Sequence, residues 1–455
     1  MLKYLNIKSF NQFVPKFWTP RFMILWLAFP LFFTSLLVSA APYLAQEKTK
    51  KANTDKVYTL QDLLKMAVQY HPLLREGRGV IQQEKGIKAQ AYSPYFPQIN
   101  FQSSYQRANA LGALFGTTFP FTTYNTGFSM TQLITDFGHT SAQISAANQN
   151  LLQSQENYRS TFQQVLFNVD NAYYQVLENQ ANVKVQKDSV NDLKQHLKQA
   201  ESFYKVGTQP KIDVTQAEVN LTNGEYALVQ ANNNLAIAWT NLSAAVGKPN
   251  FYTFQLTGKL EFHPYSVPLQ KALSTAYQNR PDLLALESEL KSQQANLEAV
   301  SKQNYPVLSG SAGYGWRNDF FPPGTAFWNL GVSLNFPLFD GFKEAGELET
   351  ARGEVAQIQA EVDNLKLTIQ QAVQQAYLNL KSSKTNLRVS KTALRYAAEN
   401  FHLADGSYKV GTADYLQYED AEVSLVQAKT NYIQALANYN IAVASLKQAM
   451  GVLKQ

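Results

Sequence analysis

The chain has 455 residues, of which 45% are hydrophobic and only 16% are Asp, Glu, Lys or Arg, a low charge density for an ordinary cytosolic domain. The absence of cysteine excludes disulfides, thiolate metal sites, thiol nucleophiles and a lipid-bearing N-terminal cysteine. The formal charge of +6 owes four units to Lys3, Lys8, Lys16 and Arg21, and the +2 that remains gives no reason to expect nucleic acid.

Those four cations precede an apolar run of 17 residues, Phe22 to Val38, which is broken by Pro30 and ends in Val38-Ser39-Ala40 before Ala41. This is the layout of a secretory signal over residues 1–40, followed by a polar linker over 41–57. An uncleaved anchor is the competing reading, at the short limit for a membrane span. No later stretch is apolar enough for a spanning helix, so the exported chain is expected to meet a membrane, if at all, by other means.

The remainder is written twice. Leu60-Gln61, His71-Pro72, Phe96-Pro97 and Tyr105 return 209 residues later as Leu269-Gln270, Arg280-Pro281, Tyr305-Pro306 and Tyr314. From Gly127 the offset is 204, matching Asp136 to Asp340, Tyr204 to Tyr408, Glu218-Val219 to Glu422-Val423 and Gly247 to Gly451. The slip falls between Tyr105 and Gly127, and length variation confined to one place marks an exposed loop. The boundaries that follow are a first repeat over 58–249, a linker over 250–265, a second repeat over 266–451 and a tail over 452–455.

In each repeat a period of two flanks that loop. Ile99, Phe101 and Tyr105, then Tyr124, Phe128 and Met130, alternate with polar or small residues; Leu308, Ala312, Tyr314 and Trp316, then Trp328, Leu330, Val332, Leu334 and Phe336, do the same. The spacing predicts four strands of about ten residues, over about 96–107, 124–134, 305–317 and 327–337, apolar on one face. A membrane barrel with a wet interior and a soluble sandwich both fit the alternation; the long loops 107–123 and 317–326 and the aromatics near the strand ends favour the membrane. Four strands cannot close alone, so several copies must share one barrel, eight strands in a dimer or twelve in a trimer.

The rest has a period of seven. Val169, Val176, Val183, Val190, Leu197 and Tyr204 are so spaced, as are Val373, Leu380, Leu387, Leu394, Phe401 and Tyr408. Past the turns, Ala217, Gly224, Ala231, Ala238 and Ala245 run beside a row of leucines, and Ala421, Ala428, Ala435, Ala442 and Ala449 beside Leu425, Tyr432, Tyr439 and Leu446. A sustained repeat of seven imposes a left-handed supercoil. Helices over about 139–206 and 344–410 would each be roughly 100 Å long at about 1.5 Å per residue. The return helices, about 213–246 and 414–450, cover half that distance, and helices over about 72–92 and 281–303 make up the rest if they stack end to end with them. The chain between Gly247 and Arg280, with a short helix over about 269–277, would wrap the middle as a belt.

The doubled hairpin, Asn279-Arg280-Pro281-Asp282-Leu283, Phe336-Pro337-Leu338-Phe339-Asp340-Gly341 and the two Tyr-Lys-Val-Gly-Thr turns together resemble the TolC-type outer membrane efflux proteins across nearly all of the mature chain. The resemblance implies a mainly α fold with a membrane β-barrel portion: a homotrimer whose protomers each give four strands to a shared twelve-stranded barrel, continuous with a long α-helical barrel across the periplasm. It implies an export duct in the outer membrane of a Gram-negative bacterium, docked to a periplasmic adaptor (membrane fusion) protein and an inner-membrane transporter, expelling small molecules or secreting proteins by the type I route. Neither an enzyme nor a cofactor is expected: the histidines at 71, 139, 196, 263 and 402 have no ligand spacing, and no phosphate loop, nucleophile elbow or catalytic carboxylate pair stands out. A structural or adhesive periplasmic coiled coil without a pore is the alternative.

The turns are the candidate docking tips: Tyr204, Lys205, Val206, Gly207 and Thr208, and Tyr408, Lys409, Val410, Gly411 and Thr412. The glycines suit a left-handed helix end, and the threonines are expected to help cap the helix that follows. Connectivity alone accounts for the glycines; a shared adaptor accounts for the identity of the flanking residues. The resemblance also places a gate in the first turns of the return helices, where Asp213 and Asp420 match acidic positions and Gln417 replaces a third. An arginine latch expected after the second turn is replaced by Ala413. Asp420 with Asp414 or Glu419 would form a negative ring that favours cations, and a solvated helix start rich in acids is the alternative. Asp136 and Asp340 read as helix-start acids.

Overall fold

The computed structural model describes residues 57–111, 118–249, 255–410, 412 and 415–453. The signal-like segment 1–40, the linker except residue 57, the first five residues of the inter-repeat linker and the last two of the tail lie outside the described residues. In chain order the elements are β1 (Val57–Tyr58), α1 (Leu60–Tyr70), α2 (Pro72–Ala91), a 3-10 turn (Ser93–Tyr95), β2 (Gln98–Leu111), β3 (Thr118–Thr135), α3 (His139–Lys205) and α4 (Lys211–Val246). The second repeat continues with β4 (Gln255–Leu256), α5 (Leu269–Asn279), α6 (Pro281–Ser301), β5 (Val307–Asn318), β6 (Thr325–Asn335), α7 (Lys343–Lys409) and α8 (Tyr415–Ala449).

The heptad rows are the seams along which the helices pack. Val169, Val176 and Val190 of α3, and Val373, Leu380 and Leu387 of α7, are buried, as are Ala217 and Ala238 of α4 and Ala421, Ala428 and Ala442 of α8. The small residues let the backbones approach: a Cβ on Gly224 would sit 2.6 Å from Cδ1 of Leu193 on α3. Two apolar cores result, one per repeat. Leu63, Leu64 and Ala67 of α1 close over Leu166, Val169 and Val176 of α3 and Leu242 of α4; Ala272 and Ala276 of α5 close over Ile369 and Val373 of α7 and Tyr439 and Leu446 of α8.

The return helices do meet the strand-leading helices end to end. Gly247 (φ +74°) abuts His71 at the start of α2, and Gly451 (φ +70°) abuts Arg280 at the start of α6. The belt is also real. β1 and β4 pair in parallel, Gly258 rests on Tyr173, where an added Cβ would fall 1.7 Å from the hydroxyl, and farther on Tyr439 donates its hydroxyl to the His263 carbonyl and accepts the Tyr265 N–H, both at 2.9 Å.

The sheet has the order β2-β3-β5-β6, antiparallel throughout. The apolar face is a set of cross-strand rows: Phe101, Phe128, Tyr314 and Trp328 lie opposite one another across all four strands, with ring centroids of Phe101 and Phe128 5.1 Å apart. The next row on the other face is Asn100, Ser129, Gly313 and Asn329. The expected loop 107–123 is mostly hairpin instead, since β2 and β3 stay paired as far as Leu111 and Thr118. Pro120 reads as a strand breaker, but β3 pairs with β5 only from Tyr124 onward, so at Pro120 one side of β3 needs no N–H donor. Each strand pair turns into its long helix through a tight left-handed step at residues 137–138 and 341–342. As expected, Asp136 and Asp340 hold the helix starts: Asp136 accepts the Gly138 and Thr140 N–H groups at 3.1 and 2.7 Å, and Asp340 accepts that of Glu344 at 2.8 Å.

Candidate functional site: hairpin tips and their seam

Both tips close by the same device. α3 ends at Lys205, Gly207 turns left-handed (φ +78°), and Thr208 bonds back to the Phe203 carbonyl through its N–H and its hydroxyl, both at 3.0 Å. In the second copy Thr412 does the same to the Ser407 carbonyl, at 2.9 and 3.1 Å. The threonines therefore finish the outgoing helix rather than cap the incoming one. Two residues, Gln209 and Pro210, separate Thr208 from α4, whose first residue follows Pro210 with no side-chain cap. A 6→1 bond of this kind satisfies a carbonyl that the helix end leaves without a partner. Gly411, Ala413 and Asp414 lie outside the described residues.

Identical sequences here have different surroundings. Tyr204 is 47% exposed and Tyr408 only 5%. Tyr408 packs in an aromatic cluster with Tyr415 and Tyr418 of α8 and His196 of α3, at centroid separations of 6.0, 5.5 and 6.3 Å, and the His196 and Tyr418 rings are 4.1 Å apart. The cause is topological. α8 packs on α7 and also on α3, whereas α4 packs mainly on α3 within the chain. Positions one repeat earlier than Tyr415 and Tyr418 are Lys211 and Val214, so the first hairpin has no such cluster. Lys205 is exposed, and Lys409 is held by Asp405 one turn back at 2.7 Å.

The described gate residues lie on both return helices. Asp213 is half-buried in the first turn of α4, while Gln417 and Asp420 are exposed on α8. Asp213 is linked to the second tip electrostatically: burial raises the Tyr408 phenol and the Asp213 charge adds to the effect. The heptad pattern gave no sign of the polar groups buried in the seam between the hairpins. Glu422 is 5% exposed, and burial, reinforced by Asp192 and Glu419, pushes its carboxyl up to about 7. Burial lowers His196, against the pull of Asp405 and Asp192. Glu422 is the repeat partner of Glu218, which is exposed; the duplication marks both positions without distinguishing them. Among the described residues no group of three or more His, Cys, Asp or Glu side chains is placed to hold a metal ion.

The sheet's outer edges, on β2 and β6, have no partner among the described residues. Around them Ile99, Phe101 and Tyr105 on β2 and Trp328, Leu330, Val332 and Leu334 on β6 are exposed. No helix among the described residues is long and apolar enough to cross a membrane.

The chain matches the family described as "Outer membrane efflux protein" over residues 63–248 and 272–452, one segment per repeat. It is 24% identical to Protein CyaE of Bordetella pertussis over 339 residues, covering 71% of this chain and 69% of that protein. It is 23% identical to the outer membrane efflux protein BepC of Brucella suis, covering 69% of this chain and 67% of that protein. The crystal structure of the Campylobacter jejuni CmeC outer membrane channel superposes with a TM-score of 0.77 at 16% identity, covering 86% of this chain and 85% of that one. With both repeats matched and the four-stranded sheet joined to long helical hairpins, the chain belongs to the outer membrane efflux protein family, and is a channel protein of the Gram-negative outer membrane that extends into the periplasm.

Proposed function

We propose that three copies of this chain close one twelve-stranded barrel and one helical tunnel, and that the resulting duct exports cargo delivered by an inner-membrane transporter through a periplasmic adaptor. The observation that carries this is the pair of open edges, β2 and β6, flanked by apolar side chains. In a bilayer every backbone N–H and C=O must be paired, so a four-stranded open sheet is stable there only when other copies close it. Exposed apolar residues along the helices point the same way. Val219, Tyr226 and Val229 on α4, and Val389, Tyr396 and Leu403 on α7, lie on elements at opposite sides of the chain's helical layer, where a neighbouring copy would cover them.

The tips are the adaptor sites in this reading. A photocrosslinker at position 205 or 409, in cells expressing adaptor and transporter, is expected to trap the adaptor; failure at both positions would remove the docking assignment. The transporter sets the cargo, whether small molecules or secreted proteins. Asp420, with Asp213 and Asp414, forms the negative constriction. Asp420→Ala is expected to reduce cation selectivity and divalent block in single-channel recordings, because three charges leave the ring at once. Unchanged selectivity and block would reduce Asp420 to a solvated helix-start acid.

A further inference from the structure

Between the two hairpins of one chain, near the tips, lies a cavity of about 300 Å³. α3 contributes Ser189 and Leu193, α4 contributes Asn220, Asn223 and Gly224, and α8 contributes Glu419, Glu422, Val423, Val426 and Gln427. Its wall is thus part hydrocarbon and part amide, with two carboxylates and no cationic side chain. Glu422 is 95% removed from solvent by its 5% exposure, and its Oε1 has no hydrogen-bond partner. The Tyr418 hydroxyl, one turn earlier, interacts with the carboxyl but forms no well-aligned hydrogen bond with it. A buried carboxylate oxygen without a donor is costly, and in native proteins it generally has a partner. Because all the lining residues come from one chain, assembly of further copies is not needed to form the site.

We propose that this cavity binds a small alkylammonium compound, with Glu422 accepting hydrogen bonds from the ammonium group. Neutralising a carboxylate against one charged nitrogen calls for a monocation with three donors, and the amide oxygens of Asn223 and Gln427 supply further acceptors. Leu193, Val423 and Val426 offer apolar surface to the alkyl part. A bare divalent ion suits the wall less well, because among the described residues no group of three or more His, Cys, Asp or Glu side chains is placed to hold one. The ligand would bridge α3, α4 and α8, the elements that join the first hairpin to the second.

The charged and titratable neighbours set the pH dependence. Glu422 faces Tyr418, Glu419 and Lys429 on its own helix and Asp192 on α3, while α4 presents amides; Asp405 of α7 reaches Tyr418. Alone, the carboxyl holds its proton up to about pH 7. An ammonium group favours the ionised form, so binding releases a proton near neutral pH and tightens as pH rises through about 7.

The test is calorimetric titration of the purified full-length protein in detergent with n-pentylamine, at pH 6 and pH 8 and in buffers of different ionisation enthalpy. Saturable binding that is tighter at pH 8, with proton release near neutrality, is expected. Glu422→Gln should weaken it about tenfold or more, the usual scale for losing one charge-assisted bond. Gly224→Ala gives a second handle, because its methyl would lie 2.6 Å from Leu193 Cδ1, so two lining residues must shift, which should weaken binding while leaving Glu422 in place. No saturation in the millimolar range, equal affinity in the Glu422→Gln protein at an unchanged melting temperature, or equally tight binding of neutral pentanol would each overturn the proposal. If Glu422→Gln does not fold, undiminished binding by Gly224→Ala overturns it.

Discussion

Leu330→Arg is expected to prevent recovery of the folded protein from the outer membrane, while Asn329→Arg, one residue away, is tolerated. Leu330 lies at the centre of β6, 78% exposed, in the apolar row with Ile99, Met130 and Ala312. Asn329 belongs to the polar row on the opposite face. An arginine on the lipid face of a barrel costs about 2–4 kcal/mol at the bilayer midplane. In the proposed trimer the substitution occurs three times, so the assembled barrel loses roughly 6–12 kcal/mol, comparable to the whole stability of many folded domains. The measurement is the amount of heat-modifiable oligomer in outer-membrane fractions. Equal amounts for the two variants would show that the apolar face of the sheet does not meet lipid.

Gly451→Ala is expected to destabilise the junction between α8 and α6 by about 2–5 kcal/mol. Two effects add. The residue sits at φ +70°, where a side chain costs about 1–2 kcal/mol. A Cβ there would also lie 2.8 Å from Arg280 Cα, Arg280 N and Asn279 C, all backbone atoms that cannot swing aside, and overpacking typically costs about 1–3 kcal/mol. The Gly451 carbonyl accepts a hydrogen bond from Gln163 of α3 at 2.7 Å, so any shift of the turn is felt by the first repeat as well. Gly79→Ala is the control: nothing lies within 4 Å of its Cβ position in α2, and helix propensity favours alanine there by about 1 kcal/mol. Thermal melting in detergent should fall for Gly451→Ala and hold or rise for Gly79→Ala. A Gly451→Ala melt equal to wild type would mean that the turn relaxes freely.

Much of this fold is legible in the sequence because its periods are long and repeated. The heptad rows from Val169 and Val373 locate the long helices to within about two residues, and the alternation at Ile99–Tyr105 and Trp328–Phe336 locates the apolar face of the sheet. Pattern was less help where an element is short or held by tertiary contact. β1 and β4 are two residues each and exist only because the belt brings them together. The start of α1 is held by a capping box of Thr59 and Asp62, whose carboxylate accepts the Thr59 N–H at 3.0 Å, a local signal that the long periods do not carry. The candidate site was half visible. The turn residues stand out by duplication, yet duplication also suggests equivalence, and Tyr204 and Tyr408 are not equivalent. Nor are Glu218 and Glu422, because of the two return helices α8 alone is sandwiched between two long helices of its own chain.

That sandwiching sets a limit on how the mouth of the channel can be recognised. In the proposed three-copy ring, junctions within a chain, lined by His196, Tyr408, Tyr415 and Tyr418, would alternate with junctions between chains, where the repeat-related positions are Asn400, Tyr204, Lys211 and Val214. The rim of that assembly would have six positions of two kinds. A partner presenting six identical probes will fill them as two sets of three, with separate affinities, and a titration should resolve two steps of equal stoichiometry rather than one.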